Sequence, residues 1–198
     1  MRSAPAAGGF APLALAAVLF SCGCRGDHRV LRISHEAELT SLDPIAASDH
    51  IAVSVLSNLY DTLVDFDGEM RLTPALAVSW STPDERNWVF VLRTGVATHD
   101  GGHLVPEDVR RSLERARLDP HSSLRERLAV VASVEVTDSG QLRVRTKESD
   151  PLLAHRLTGI FISAGGPDAR LEERPVGTGP YRFVGRLPGG LEAAAFPS

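Results

Sequence analysis

The chain has 198 residues, 43% hydrophobic and 23% charged, with a formal net charge of -4. That is ordinary globular composition, rich enough in apolar residues for one or two cored domains, and it excludes a disordered chain. A mildly acidic balance lacks the basic surface that a nucleic-acid partner requires, so none is expected.

Residues 1–21 read as an export signal. Arg2 supplies an early positive charge, and the apolar run from Phe10 to Phe20, interrupted by Pro12, is too short to span a bilayer as a helix. Leu19-Phe20-Ser21-Cys22 resembles a bacterial lipobox, which implies cleavage before Cys22 and lipidation of that residue. A plain secretory signal with incidental cysteines is the alternative. Residues 22–29 then form a polar tether. A disulfide between Cys22 and Cys24 would close too small a ring, so no disulfide is expected in the fold.

Val30 to Ser34 alternates as a short strand. Ile51 to Tyr60 carries Ile51, Val55 and Leu59 at a spacing of four, with Val53 and Leu56 widening the stripe, and Asp49 stands where an N-cap belongs. Leu63 to Leu72 reads as a hairpin turning at Asp67-Gly68. Thr73 to Ala77 reads as a helical turn with Thr73 as cap and Pro74 at its first position. Trp88, Phe90 and Leu92 alternate with Val89, Val91 and Arg93, the pattern of a strand with one face on a core, and both Trp80 and Trp88 are expected to be structural.

His99 and His103 are four apart, the spacing of two metal ligands on a helix. Gly101 and Gly102 argue against a helix there, and no third ligand clusters with them, so no metal is expected. Pro106 to Leu118 is the strongest helix. Val109, Leu113 and Ala116 form its apolar face, Glu107 and Asp108 sit at its positive end, and its arginines favour the other end. Arg110, Arg111, Arg115, Arg117, Arg125 and Arg127 are nearly balanced by Glu107, Asp108, Glu114, Asp119 and Glu126, which describes a solvated face. Val130 to Thr137 and Gln141 to Thr146 form a hairpin around Asp138-Ser139-Gly140. A short helix, Leu152 to Leu157, and a brief apolar strand, Ile160 to Ile162, follow.

Taken together, Ser41-Leu42-Asp43-Pro44, Leu59-Tyr60-Asp61-Thr62-Leu63, Leu72-Thr73-Pro74-Ala75-Leu76-Ala77, Trp88-Val89-Phe90-Val91-Leu92-Arg93, His99-Asp100-Gly101 and Pro175-Val176-Gly177-Thr178-Gly179-Pro180-Tyr181 occur in the order typical of one family. The chain resembles the family 5 extracellular solute-binding proteins of ABC transporters, the peptide, dipeptide and nickel binders. Thr98 departs from the aromatic residue usual before His-Asp-Gly, and Gly102 from a larger one.

The resemblance implies an α/β, periplasmic-binding-protein-like fold, type II and cluster C-like. Family members are much longer, so these residues are expected to be the amino-terminal part, incomplete and with the second lobe absent. In that architecture residues 30–62 begin the ligand-binding lobe I, residues 63–173 form an inserted α/β subdomain, and residues 174–198 return into lobe I, truncated. By position, Ser48, Asp49 and His50 line the ligand, although Asp49 as a mere cap and His50 as a solvated residue are equally good readings. The loop after the long helix brings Ser122, Ser123 and Arg125 to the ligand. Arg125 would offer a guanidinium to a carboxylate, and pairing with a nearby acid such as Glu126 is the alternative.

The function implied is that of a non-catalytic, lipid-anchored, extracytoplasmic binder of peptides or similar small polar solutes, with an ABC permease and a membrane as partners and no cofactor. Such proteins close two lobes on the solute. A truncated form that binds nothing, and a lipoprotein using an exposed half-cleft for protein interaction, are the alternatives.

Overall fold

The structure is a computed structural model that describes residues 30–34, 39, 41–46, 49–166, 169–188 and 190–197. The expected signal, tether and Cys22, together with Ser48, lie outside these residues.

Two apolar cores organise the chain. The larger rests on a four-stranded antiparallel sheet built from β4 (Ala77–Asp84), β5 (Asn87–Leu92), β6 (Val131–Val136) and β7 (Leu142–Thr146), in the order β4-β5-β7-β6. Trp88 pairs with Val144 and Phe90 with Leu142 across β5 and β7, while Val134 and Val136 meet the same two β7 residues from the other side. That face is apolar because side chains alternate along each strand. Helix α2 (Pro106–Leu118) covers it with Val109, Leu113 and Ala116, all nearly inaccessible to solvent. On the opposite face stand Val89, Arg143, Arg145 and Glu135.

The expected bounds of α2 match those observed. Pro106 has no N–H to leave unpaired at the first turn, and the Asp108 carboxylate accepts the Val105 N–H at 3.1 Å. Farther along, the Ser112 hydroxyl donates to the Ser163 carbonyl at 3.1 Å and accepts the Ser163 N–H at 3.0 Å, fixing α2 to the segment that follows α3 (Leu153–Leu157).

The smaller core lies under a second sheet, in which β1 (Val30–Ser34) pairs antiparallel with β9 (Gly190–Ala195), and β9 with β8 (Tyr181–Leu187). Leu31 aligns with Ala193 and Ile33 with Leu191, so the two ends of the described chain share one sheet. Leu191 and Ala193 pack there with Leu42, Leu59, Tyr60, Phe161 and helix α1 (His50–Leu56).

Several local expectations are corrected. Helix α1 stops at Leu56, and its buried face is Ala52, Val55 and Leu56; Val53 is 46% exposed, because the sheet lies to one side of the helix only. The hairpin consists of β2 (Val64–Phe66) and β3 (Leu72–Pro74) with a longer loop than a two-residue turn. Within that loop the Asp67 carboxylate accepts the Glu69 and Arg71 N–H groups, and the positive φ, 63°, falls on Met70 rather than on Gly68. Thr73 and Pro74 therefore close a strand, not a helical turn; Pro74 sits at the strand's end, where its missing N–H costs little. Ile160 to Ile162 is not a strand but a single bridge, Phe161 to Thr62, with the Ile162 N–H donated to the Asp61 carbonyl. Alternation still governs it: Ile160 and Ile162 enter the larger core and Phe161 the smaller.

A clasp joins the two cores. The segment Gly177-Thr178-Gly179 crosses directly over Leu59-Tyr60-Asp61, where the Gly179 N–H donates to the Leu59 carbonyl at 3.1 Å and the Thr178 hydroxyl to Asp61 at 2.7 Å. A Cβ on Gly177 would lie 2.0 Å from the Leu59 carbonyl oxygen, and one on Gly179 2.6 Å from the Leu59 carbonyl carbon, so only glycine permits this approach.

Candidate ligand-binding site

The loop between β1 and α1 is shaped by its own polar side chains. Ser41 Oγ accepts the Asp43 N–H at 3.0 Å and Asp43 Oδ1 accepts the Ile45 N–H at 3.2 Å, bending the chain into a single 3-10 turn at Pro44–Ala46. Arg115, from the last turn of α2, grips the same carboxylate with two N–H donors, Nη1 reaching Oδ1 at 2.9 Å. Such two-pronged pairing fixes orientation as well as distance. Beneath it the buried Tyr60 hydroxyl donates to the Leu42 carbonyl at 3.2 Å; burial, then the Asp43 charge, raises its pKa well above the ordinary tyrosine value.

The loop after α2 docks onto this turn. Ser123 donates both its N–H, at 2.9 Å, and its hydroxyl, at 3.0 Å, to the Ile45 carbonyl. Ser122 is buried; its hydroxyl donates to the Ala116 carbonyl at 2.7 Å and accepts the Leu124 N–H at 3.1 Å, finishing the end of α2. Asp49 caps α1 by accepting the Ala52 N–H at 2.8 Å, and His50 is exposed beside it.

The structure thus brings together the two loops that sequence singles out, and between them lies a cleft of about 370 Å³ lined by Pro44, Val53, Ser123, Leu124, Arg127, Gly159 and Phe161. Its cation is Arg127. Arg125, two residues earlier, lines a separate groove with Arg117 and Lys147. Arg127 lays its guanidinium over Gly159, where a Cβ would stand 2.5 Å from Nη1, and its Nη2 donates to the His155 carbonyl at 3.3 Å. It makes no ion pair among the described residues. Desolvation, and secondarily repulsion from Arg156, lowers its pKa below the usual arginine value, yet a guanidinium stays charged at any physiological pH.

A cation without a neutralising carboxylate, on a wall formed by Val53, Leu124 and Phe161, is chemically matched to a small solute with an anionic group and an apolar body. Sequence reasoning missed Arg127, Val53 and Phe161. Arg125 and Arg127 flank Glu126 symmetrically in the sequence, and only the turn geometry decides which of them enters the cleft. Among the described residues there is no cluster of three metal-ligating side chains, and no helix is long and apolar enough to cross a membrane.

Residues 71–193 match the family of bacterial extracellular solute-binding proteins, family 5 Middle, and the chain belongs to that family. A relative from Pectobacterium atrosepticum, the glutathione-binding protein GsiB, is 31% identical over 153 residues, which is 73% of this chain and 30% of that protein. Among solved structures, NikZ from Campylobacter jejuni in complex with Ni(L-His) matches 77% of this chain and 32% of its own, with a TM-score of 0.69 and 27% identity. The nickel ABC transporter structure from Bacillus halodurans gives 0.66 and 31%, over 77% of this chain and 32% of that one. The fold is accordingly periplasmic-binding-protein-like, and the chain spans about a third of the length of these relatives.

Proposed function

We propose that this chain carries one wall of the solute site of an ABC-importer binding protein, taking peptides or similar small polar solutes for delivery to a permease. The observation behind this reading is the Arg127 cleft, a cation held without a protein counter-charge where two cleft-facing loops meet. Glutathione and histidine, named for two relatives, both carry carboxylates, the group a guanidinium matches best. Ser123, Asp49 and His50 stand around this region, Ser123 in the cleft wall and Asp49 with His50 at the start of the helix that presents Val53. Arg125, the contact that sequence singles out, lines the groove on the far side of the same loop, and Arg127 takes its place in this reading.

The division at residues 30–62, 63–173 and 174–198 is proposed with it, the two cores and the clasp between them being its support. Isothermal titration with a mixed di- and tripeptide pool tests the binding reading; heat that saturates and weakens in Arg127→Gln supports it, and no heat at millimolar peptide ends it.

Lipid anchoring at Cys22 is part of the proposal and rests on the Leu19 to Cys22 motif. More than one acyl chain, at about 0.8 kcal/mol per buried methylene, would hold the protein at the membrane surface. Incorporation of labelled palmitate, abolished in Cys22→Ala, is the expected result.

A further inference from the structure

On the other side of the loop that forms the solute cleft is a larger concavity, about 640 Å³, at the junction of the α2 terminus, the 119–130 segment and the end of β7. Arg117, Arg125 and Lys147 line it, with Glu126 as its acid and Leu118, 57% exposed, and Pro120 as apolar rim. Two of these cations, Arg125 and Lys147, have no side-chain partner among the described residues. Arg117 is different. Its Nη2 is held by Glu114 at 2.6 Å, while its Nε is fully buried and donates to no protein acceptor.

Each fact has a physical weight. Like charges converging on one concavity repel, so their convergence is stabilised when an anion enters. The Arg117 Nε, closed to solvent, is closed to an ion in the groove as well, so Arg117 acts there through its charge and the rest of its guanidinium. The Glu114 carboxylate offsets the Arg117 charge only, with Oε2 on Arg117 Nη2 and Oε1 on the Val134 N–H at 3.0 Å, and leaves Arg125 and Lys147 uncompensated by it.

We propose that this groove is a second, anion-binding site, distinct from the solute cleft, that takes an oxyanion of the phosphate type through Arg117, Arg125 and Lys147. The oxyanion is either free in solution or the headgroup of an anionic lipid, and both present the same oxygens to the same donors. The inference does not depend on what the solute cleft binds.

The full chain is titrated with inorganic phosphate by calorimetry and, in a parallel arm, sedimented with phosphatidylglycerol vesicles against phosphatidylcholine vesicles. Saturable phosphate binding that falls at least ten-fold in Arg125→Gln/Lys147→Gln identifies a free-anion site. Sedimentation with anionic vesicles that phosphate displaces, and that the same double variant loses, identifies a headgroup site. The control Arg71→Gln/Arg170→Gln removes the same net charge elsewhere and is expected to leave both readouts unchanged. Circular dichroism verifies folding, and Arg125→Lys/Lys147→Arg is expected to restore binding. The proposal is overturned if neither phosphate nor anionic vesicles bind, or if the double variant and the charge control lose binding equally.

Discussion

The imidazole of His99 and the carbonyl of Gly179, eighty positions apart, meet at 2.9 Å inside the clasp between the two cores. The ring's other nitrogen, Nδ1, accepts the Gly177 N–H at 3.3 Å, which places the proton on Nε2 and makes it the donor to Gly179. The His99 backbone adds a third tie, its N–H donated to the Gly177 carbonyl at 3.0 Å, and Phe196 closes the ring edge-on at 4.8 Å. A motif that at first suggests metal chemistry is therefore a neutral bracket for the crossing chain.

That bracket carries a pH dependence. Burial lowers the His99 pKa below its ordinary value of about 6.5; the Gly179 carbonyl raises it, nearby Arg182 lowers it, and Asp61 and Asp100 raise it. With the folded pKa depressed, the unfolded chain binds the extra proton first. The contribution to stability is full above about pH 6.5 and is lost as pH falls through the folded value. Thermal unfolding is expected to show a midpoint that drops between pH 7 and pH 5, before most carboxylates titrate. His99→Gln, less stable at pH 7, is expected to show a flatter profile over that interval, and an equal slope in both proteins would refute the assignment.

The glycines of the same clasp give a contrast that can be measured in one series. Gly177→Ala and Gly179→Ala each force a methyl against backbone that side-chain motion cannot clear, so each is expected to cost at least the 1–3 kcal/mol of ordinary overpacking. Gly68→Ala meets nothing within 4 Å at a φ outside the left-handed region and is expected to stay within about 0.5 kcal/mol of the parent. Urea denaturation reads all three.

What sequence made legible follows from the range of the forces involved. Strand β5 and helix α2 emerge because period-2 and period-3.6 patterns, a proline at the first helical position and acids in the first turn are local signals. The clasp is visible only as Gly-Thr-Gly, since nothing local says that Leu59 lies beneath it. Asp67-Gly68 misleads because the Asp67 carboxylate organises a wider loop and shifts the left-handed residue to Met70. Likewise the Asp49, Ser122 and Ser123 side chains make hydrogen bonds with backbone groups that no local pattern specifies, while the cation of the proposed cleft, Arg127, depends on which way one turn of loop faces.

Asp43 and Arg115 are seventy-two positions apart and join the loop before α1 to the end of α2. Both side chains are partly shielded, at 18% and 32% exposure, so the pair is worth more than a solvated one and less than a buried one. A double-mutant cycle with Asp43→Asn and Arg115→Gln is expected to give a coupling of about 1 kcal/mol. Because Ile45 takes its position from Asp43 and anchors Ser123, either single variant is also expected to weaken solute binding by loosening the cleft wall. A cycle that shows no coupling would mean the two loops hold their places without this pair.

Arg127 separates stability from binding. Its guanidinium gains one backbone hydrogen bond, loses hydration and is repelled by Arg156, so removing its charge relieves as much as it sacrifices. Arg127→Gln is therefore expected to leave the denaturation midpoint unchanged or slightly raised. For a solute with a carboxylate, the same substitution removes charge-assisted hydrogen bonds worth roughly 1.5–3 kcal/mol, a loss of about ten- to a hundred-fold in affinity. The complementary variant, Gly159→Ala, displaces the guanidinium by filling the space beneath it without altering any charge, and is expected to weaken binding less. If Arg127→Gln destabilises the fold while peptide affinity stays unchanged, the arginine is a structural tie to His155, and the cleft has no electrostatic part in holding the solute.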